Sequence, residues 1–162
     1  MEETWESLLR LGPEVALIIV SMIPFVELRG GIILGAALGM DWAPSLFLCT
    51  IGNILPVPFI IVFGRYLLDL LEKTKTFGGF VGRYKARLMR RSGVIQKYGP
   101  WGLILFVGIP LPGTGAWSGA LLAFLLILRM SRAVPAIFLG ILLGGVIMTL
   151  GTHGVLGIAD NI

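Results

Sequence analysis

Ile23-Pro24-Phe25-Val26-Glu27-Leu28-Arg29-Gly30-Gly31 sits in the middle of an apolar run, 15–40, that is long enough to cross a bilayer. Its proline and paired glycines let a helix stop and reverse. Its two charges need a reason, because a charge at the centre of a bilayer is strongly disfavoured. A second stretch of the same kind, Gly108-Ile109-Pro110-Leu111-Pro112-Gly113-Thr114-Gly115, lies within the apolar run 98–128. Whether these two runs cross the membrane or turn back inside it decides the fold.

The surrounding composition places the chain in a membrane. Of 162 residues, 56 % are hydrophobic and only 14 % are charged, where ordinary soluble chains carry about 25 %. Mean hydropathy is +0.93. A soluble domain of this size could not hide so much apolar surface, so the composition argues against a soluble enzyme, a disulfide scaffold or a nucleic-acid-binding module. The lone Cys49 has no partner within the chain. The first fourteen residues carry Glu2, Glu3, Glu6 and Glu14 against Arg10, which is not the positive start of a signal peptide.

The charges fall in blocks. Lys73, Lys75, Arg83, Lys85, Arg87, Arg90, Arg91 and Lys97 form one basic segment, and Arg129 with Arg132 forms a second basic turn. The N-terminal glutamates, Asp41 and Asp160 form the opposing set. Short basic loops stay on the cytoplasmic side. Segments 73–99 and 129–132 are therefore expected inside, with both termini outside, in a multi-pass protein of the cytoplasmic (inner) membrane. A crossing needs roughly 20 apolar residues, and 43–64 and 133–154 each supply one between loops of opposite sign. The runs 15–40 and 98–128 start and end on the same side, so each reads as a re-entrant hairpin. Broken backbone at membrane depth must be buried in protein or line a cavity. Four plain kinked helices would instead leave Arg129 and Arg132 outside.

An internal repeat points the same way. Pro44-Ser45-Leu46-Phe47-Leu48, followed by Gly52, resembles Pro135-Ala136-Ile137-Phe138-Leu139, followed by Gly144, and Ile23-Pro24 matches Ile109-Pro110 upstream. A hairpin plus one span is an odd number of crossings, so tandem copies must be inverted, a pattern found in transporters. The expected fold is an all-α integral membrane protein forming a single membrane domain. Repeat one (13–72) and repeat two (100–157) each hold a re-entrant hairpin and a full transmembrane helix. Between them lies the basic cytoplasmic linker 73–99, helical over about 81–98, with Val81, Tyr84 and Leu88 on one face. An amphipathic helix of this kind suits an anionic leaflet or serves as a topology anchor. The stretch 5–11 is expected to lie on the outer interface.

The residues able to carry function gather at the two broken stretches. Glu27 is a candidate to bind a proton or a cationic group, and Arg29 an anionic one. Alternatively the two charges clamp one hairpin tip to the other half. Pro110, Pro112, Gly113, Thr114, Gly115 and Ser118 offer hydroxyls and backbone N–H groups to a substrate, with Pro24, Asn53 and Trp117 as candidate cavity-lining residues. Asn53 equally suits an interhelical hydrogen bond, and His153 an interfacial position. No Gly-Lys-Ser/Thr, His-Glu-x-x-His or Cys-x-x-Cys occurs, so neither ATP use nor a metal site is expected, and no cofactor.

With Pro24-x-x-Glu27 in the first tip and Pro110-Leu111-Pro112-Gly113-Thr114-Gly115 in the second, the chain resembles the small multidrug export family, and through it the DedA/VTT superfamily of membrane proteins. The resemblance spans roughly 13–157. It implies a non-enzymatic secondary transporter, with translocation of polyprenyl phosphates or phospholipids, driven by protons, as the first expectation. Export of drugs or cations is the alternative, and a polyprenyl-diphosphate phosphatase or an assembly factor the more distant ones. Membrane lipids, an anionic lipid substrate among them, and a second copy of the chain are the implied partners; nucleic acid is not. DedA members usually carry arginine in their second hairpin. This chain has none from 98 to 128.

Overall fold

A computed structural model of the chain describes residues 12–72 and 78–159. The stretch 5–11, Lys73, Lys75, Asp160 and the side chains of Val81 and His153 lie outside that description. The described residues form helices and turns, with no strand among them. In chain order the helices are α1 (Pro13–Met22), α2 (Glu27–Ala37), α3 (Trp42–Ile54), α4 (Val57–Glu72), α5 (Gly78–Arg91), α6 (Gly93–Tyr98), α7 (Pro100–Gly108), α8 (Ala116–Leu125) and α9 (Met130–Ala159).

Two apolar rods have the length to cross a bilayer. Trp42–Gly64 runs through α3 into α4, and Met130–Thr152 lies within α9. Each has 23 residues, about 35 Å at helical rise. They fall where the apolar runs 43–64 and 133–154 predict them. Between α3 and α4 the helix is interrupted at Leu55 and Pro56, since proline lacks the N–H that would continue the ladder. Their outer faces are apolar and exposed: Phe47, Phe59, Phe63, Tyr66 and Leu150 are all more than half accessible. Exposed large apolar side chains along both rods make a surface suited to lipid or a partner rather than water.

The shorter helices pair beside these rods. α1 and α2 pack antiparallel, with Gly31 against Ser21 and Gly35 against Leu17. Glycine is required at such crossings because any Cβ would strike the neighbouring helix. α7 packs against α8, with Gly119 on Val107 and Leu103. Leu17, Ile32, Cys49, Leu103, Leu122, Ile137 and Ile141 fill the centre with almost no exposed area.

The two halves share an order of elements and several close contacts. Each opens on a helix with proline in its first turn, Pro13 or Pro100, where the missing N–H costs nothing. A broken turn, a second short helix and a long helix follow. Gly52 of α3 sits on the Ile18 carbonyl of α1, and Gly140 of α9 sits on the Ile104 carbonyl of α7. The link from short to long helix is the same motif twice. Met40 N–H donates to Gly35 O and Gly39 N–H to Ala36 O; Leu128 N–H donates to Ala123 O and Ile127 N–H to Phe124 O. Both are Schellman closures with a left-handed residue, Gly39 at φ 70° and Ile127 at φ 54°. This register equates Gly52 with Gly140, one helical turn before the Gly144 that the sequence match suggests.

The basic segment departs from the continuous helix expected over 81–98. It is two helices, divided at Ser92. The Ser92 hydroxyl donates to Met89 O at 2.7 Å and accepts from Gln96 Nε2 at 2.7 Å. A serine that bonds its own preceding turn competes with helix continuation, and Gly93 follows it. Nor does its Tyr84–Leu88 face lie open to a leaflet. Leu88 is buried in the core and Tyr84 is half-buried against the second half of the chain.

Candidate functional site: a cavity between two broken turns

The turn 23–26 and the turn 109–115 meet. Around their junction lies a cavity of about 240 Å³ lined by Pro24, Phe25, Glu27, Arg29, Tyr84, Pro112, Gly113, Thr114, Trp117, Ser118 and Leu121. The first turn is conformationally strained: Phe25 and Glu27 are non-glycine residues in the left-handed region, at φ 72° and 53°. Such residues persist only where the surroundings hold them, and they concentrate at functional sites.

Glu27 opens α2 and is only 5 % exposed. Its Oε1 accepts the backbone N–H of Trp117 at 3.1 Å, near the start of α8. The first backbone N–H groups of a helix have no partner within it, so this carboxylate caps α8 from the other half of the chain. Gly115 makes the approach possible. Its φ of 137° favours glycine, and a Cβ there would collide with the Glu27 carboxylate.

Arg29 reaches across in the same direction but to different atoms. Its Nη1 donates to Leu111 O at 2.9 Å and its Nη2 to Thr114 Oγ1 at 3.0 Å. Thr114 Oγ1 also accepts the Leu111 N–H at 3.2 Å, and its own hydroxyl donates toward the Ile109 and Leu111 carbonyls. The guanidinium therefore holds the second turn together by its backbone. Arg91 holds the same turn from another side, donating to Pro112 O at 2.8 Å. Trp117 closes the loop by donating its indole N–H to Met22 O at 3.2 Å.

The structure brings eight sequence candidates into one cavity wall: Pro24, Glu27, Arg29, Pro112, Gly113, Thr114, Trp117 and Ser118. Pro110 shapes the second turn without lining the cavity. Gly115 and Asn53 lie behind Glu27, around a void of about 10 Å³, roughly the space of one water molecule. The Asn53 Oδ1 is buried there without a hydrogen-bond partner among the described residues. Phe25, Tyr84, Leu121 and Arg91 are additions to the sequence-predicted set. Phe25 was legible as a neighbour of Pro24. Tyr84 and Arg91 come from the basic linker, whose composition says only that it is charged. Tyr84 shares a hydrogen bond with Ser118; burial pushes its hydroxyl above the usual tyrosine range, the Ser118 bond pulls the other way, and the Glu27 charge adds to the rise.

The apolar rods, the exposed apolar faces and the enclosed polar junction define an all-helical membrane protein with an interior site between its two broken turns. Residues 27–147 match the family model described as "Putative small multi-drug export protein", and the chain belongs to that family. The match starts on Glu27 and takes in both helical links and the second broken turn. Neither a curated protein nor a solved structure matches the chain.

Proposed function

We propose that the chain is a small secondary transporter of the cytoplasmic membrane that exports lipophilic cations in exchange for protons through the cavity between the two broken turns. One observation carries this reading: a buried carboxylate, Glu27, shares the cavity with three aromatic side chains, Phe25, Tyr84 and Trp117. Aromatic faces and a desolvated carboxylate together recognise an organic cation. A single carboxylate that holds either a proton or the cation is enough for exchange. Arg29 is a positioning residue here, since both of its Nη atoms donate to the second turn. Thr114, Ser118, Pro112 and Gly113 complete the wall. The family description, multi-drug export, supports the transporter part of this reading. The cavity is smaller than the ~300 Å³ or more usual for drug-sized ligands, so loading requires the turns to part, and the strained backbone at Phe25 and Glu27 is where they would give. No covalent chemistry is involved.

In this reading the paired short helices are re-entrant hairpins in two inverted repeats. Their broken tips meet at membrane depth, as in transporters built on discontinuous helices. Segments 73–99 and 129–132 face the cytoplasm and both termini face outward. The test is uptake of tetraphenylphosphonium into proteoliposomes under an imposed pH gradient. Gradient-driven accumulation is expected for the native protein and its loss for Glu27→Gln, with the variant still folded. Accumulation by Glu27→Gln equal to that of the native protein would overturn the reading.

Translocation of anionic lipids, as in the DedA superfamily, is the second reading. What favours it is a groove bearing Arg90 and Arg91 that opens beside the same turn. Dithionite bleaching of fluorescent lipids in the same vesicles separates the two. Protein-dependent lipid crossing without cation flux would put the lipid reading first.

A further inference from the structure

The groove behind the second turn is a built site in its own right. It offers about 790 Å³ between the α5–α6 junction and α7, and Arg90 and Arg91 are among its lining residues. Its walls are Val94, Leu105, Ile109 and Leu111, each about half exposed. No carboxylate lines it among the described residues. Arg91 gives one donor to Pro112 O, leaving most of its five N–H groups unused. Arg90 makes no hydrogen bond or ion pair among the described residues. Two guanidiniums and several apolar side chains in one groove complement a molecule with an anionic head and a hydrocarbon tail. Guanidinium forks match phosphate oxygens in particular.

We propose that this groove binds one anionic membrane phospholipid, its phosphate held by Arg90 and Arg91 and an acyl chain lying along Val94, Leu105, Ile109 and Leu111. The site also has a route to the cavity. Thr114 lines both spaces, and Arg91 and Arg29 hold the same turn from two sides. A phosphate that fixes Arg91 fixes the turn against which Glu27 and Arg29 work. Lipid binding itself does not depend on the transport reading; the regulatory consequence does.

The experiment is native mass spectrometry of the full chain in detergent, with phosphatidylglycerol and phosphatidylcholine offered at equal concentration. One phosphatidylglycerol should be retained in preference to phosphatidylcholine. Arg90→Gln/Arg91→Gln should weaken that retention by at least about tenfold, since both charge-assisted contacts to the phosphate are lost. Ile109→Trp, which fills the groove and leaves the charge alone, should weaken it similarly. Arg83→Gln/Arg87→Gln removes equal charge from α5 outside the groove and should leave retention unchanged. If the double groove variant fails to fold, Arg90→Gln alone and Ile109→Trp still decide the matter. Equal retention of the two lipids, equal loss with Arg83→Gln/Arg87→Gln, or displacement of the lipid by inorganic phosphate alone would overturn the site. Absence of lipid preference in the native protein, with intact tetraphenylphosphonium uptake, refutes only the groove. Preferential retention without any uptake refutes only the transport reading.

Discussion

At the scale of single residues, the two charges that make the sequence odd do separate work. Two positions apart on a helix, they cannot share a face, and in the structure Glu27 caps α8 while Arg29 holds the second turn. Arg29→Gln removes charge-assisted bonds to Leu111 O and Thr114 Oγ1. The expected cost is about 2 kcal/mol, read as a lower unfolding temperature in detergent; Glu27→Gln keeps an acceptor for the Trp117 N–H and should cost less than half of that. An unfolding temperature lowered more by Glu27→Gln than by Arg29→Gln would reverse the assignment of roles. Gly115→Ala meets both a left-handed backbone and the Glu27 carboxylate, so it should abolish cation uptake as completely as Glu27→Gln while also destabilising the fold. Most of this site was legible in the sequence, because a charged pair and a proline-glycine cluster inside apolar runs have few structural uses. Tyr84 and Arg91 were not. Their place at the cavity and its turn is set by how the linker folds back, and no local pattern encodes a contact across that distance.

At the scale of elements, breakers and apolar runs carry most of the information. Pro24, Pro56, Pro110 and the 112–115 cluster mark the interruptions that occur, and the two apolar rods fall within a few residues of their expected ends. The linker shows where such reading stops. Val81, Tyr84 and Leu88 share a helical face, but a face pattern does not say what covers it, and the backbone bond of Ser92 is invisible to periodicity. The link at 126–128 is equally opaque: nothing in Leu-Ile-Leu announces a Schellman closure, whereas Leu38-Gly39-Met40 does through its glycine. Ile127 is a β-branched residue at φ 54° and 90 % exposed, a conformation that costs roughly 1–2 kcal/mol. Ile127→Gly relieves that strain but adds unfolded-state entropy, leaving a net gain of about 1 kcal/mol. A rise in unfolding temperature checks it, with Gly39→Ile expected to lower the temperature at the equivalent link.

At the scale of the whole molecule, the repeated closures turn the topology into a sharp question. If the halves are inverted repeats, the links at 38–41 and 126–129 occupy equivalent places on opposite sides of the membrane. If they are parallel repeats, or if 98–128 is a plain span, the two links share a side. Asp41 and Met130 flank these links and are both exposed. A cysteine at either position can therefore be reached without disturbing the core, once the buried Cys49 has been replaced by serine. In intact cells, a membrane-impermeant thiol reagent should label Asp41→Cys directly and Met130→Cys only after permeabilisation. The charge rule sets that orientation, because Arg129 and Arg132 sit beside Met130 while Asp41 stands without basic neighbours. The reverse pattern would keep the inversion and refute the orientation. Labelling of both positions from one side would refute the inversion itself. Glu27 and Arg29 would then be a structural cross-brace between two ordinary helical layers, and a transport path between broken tips would have no geometric basis.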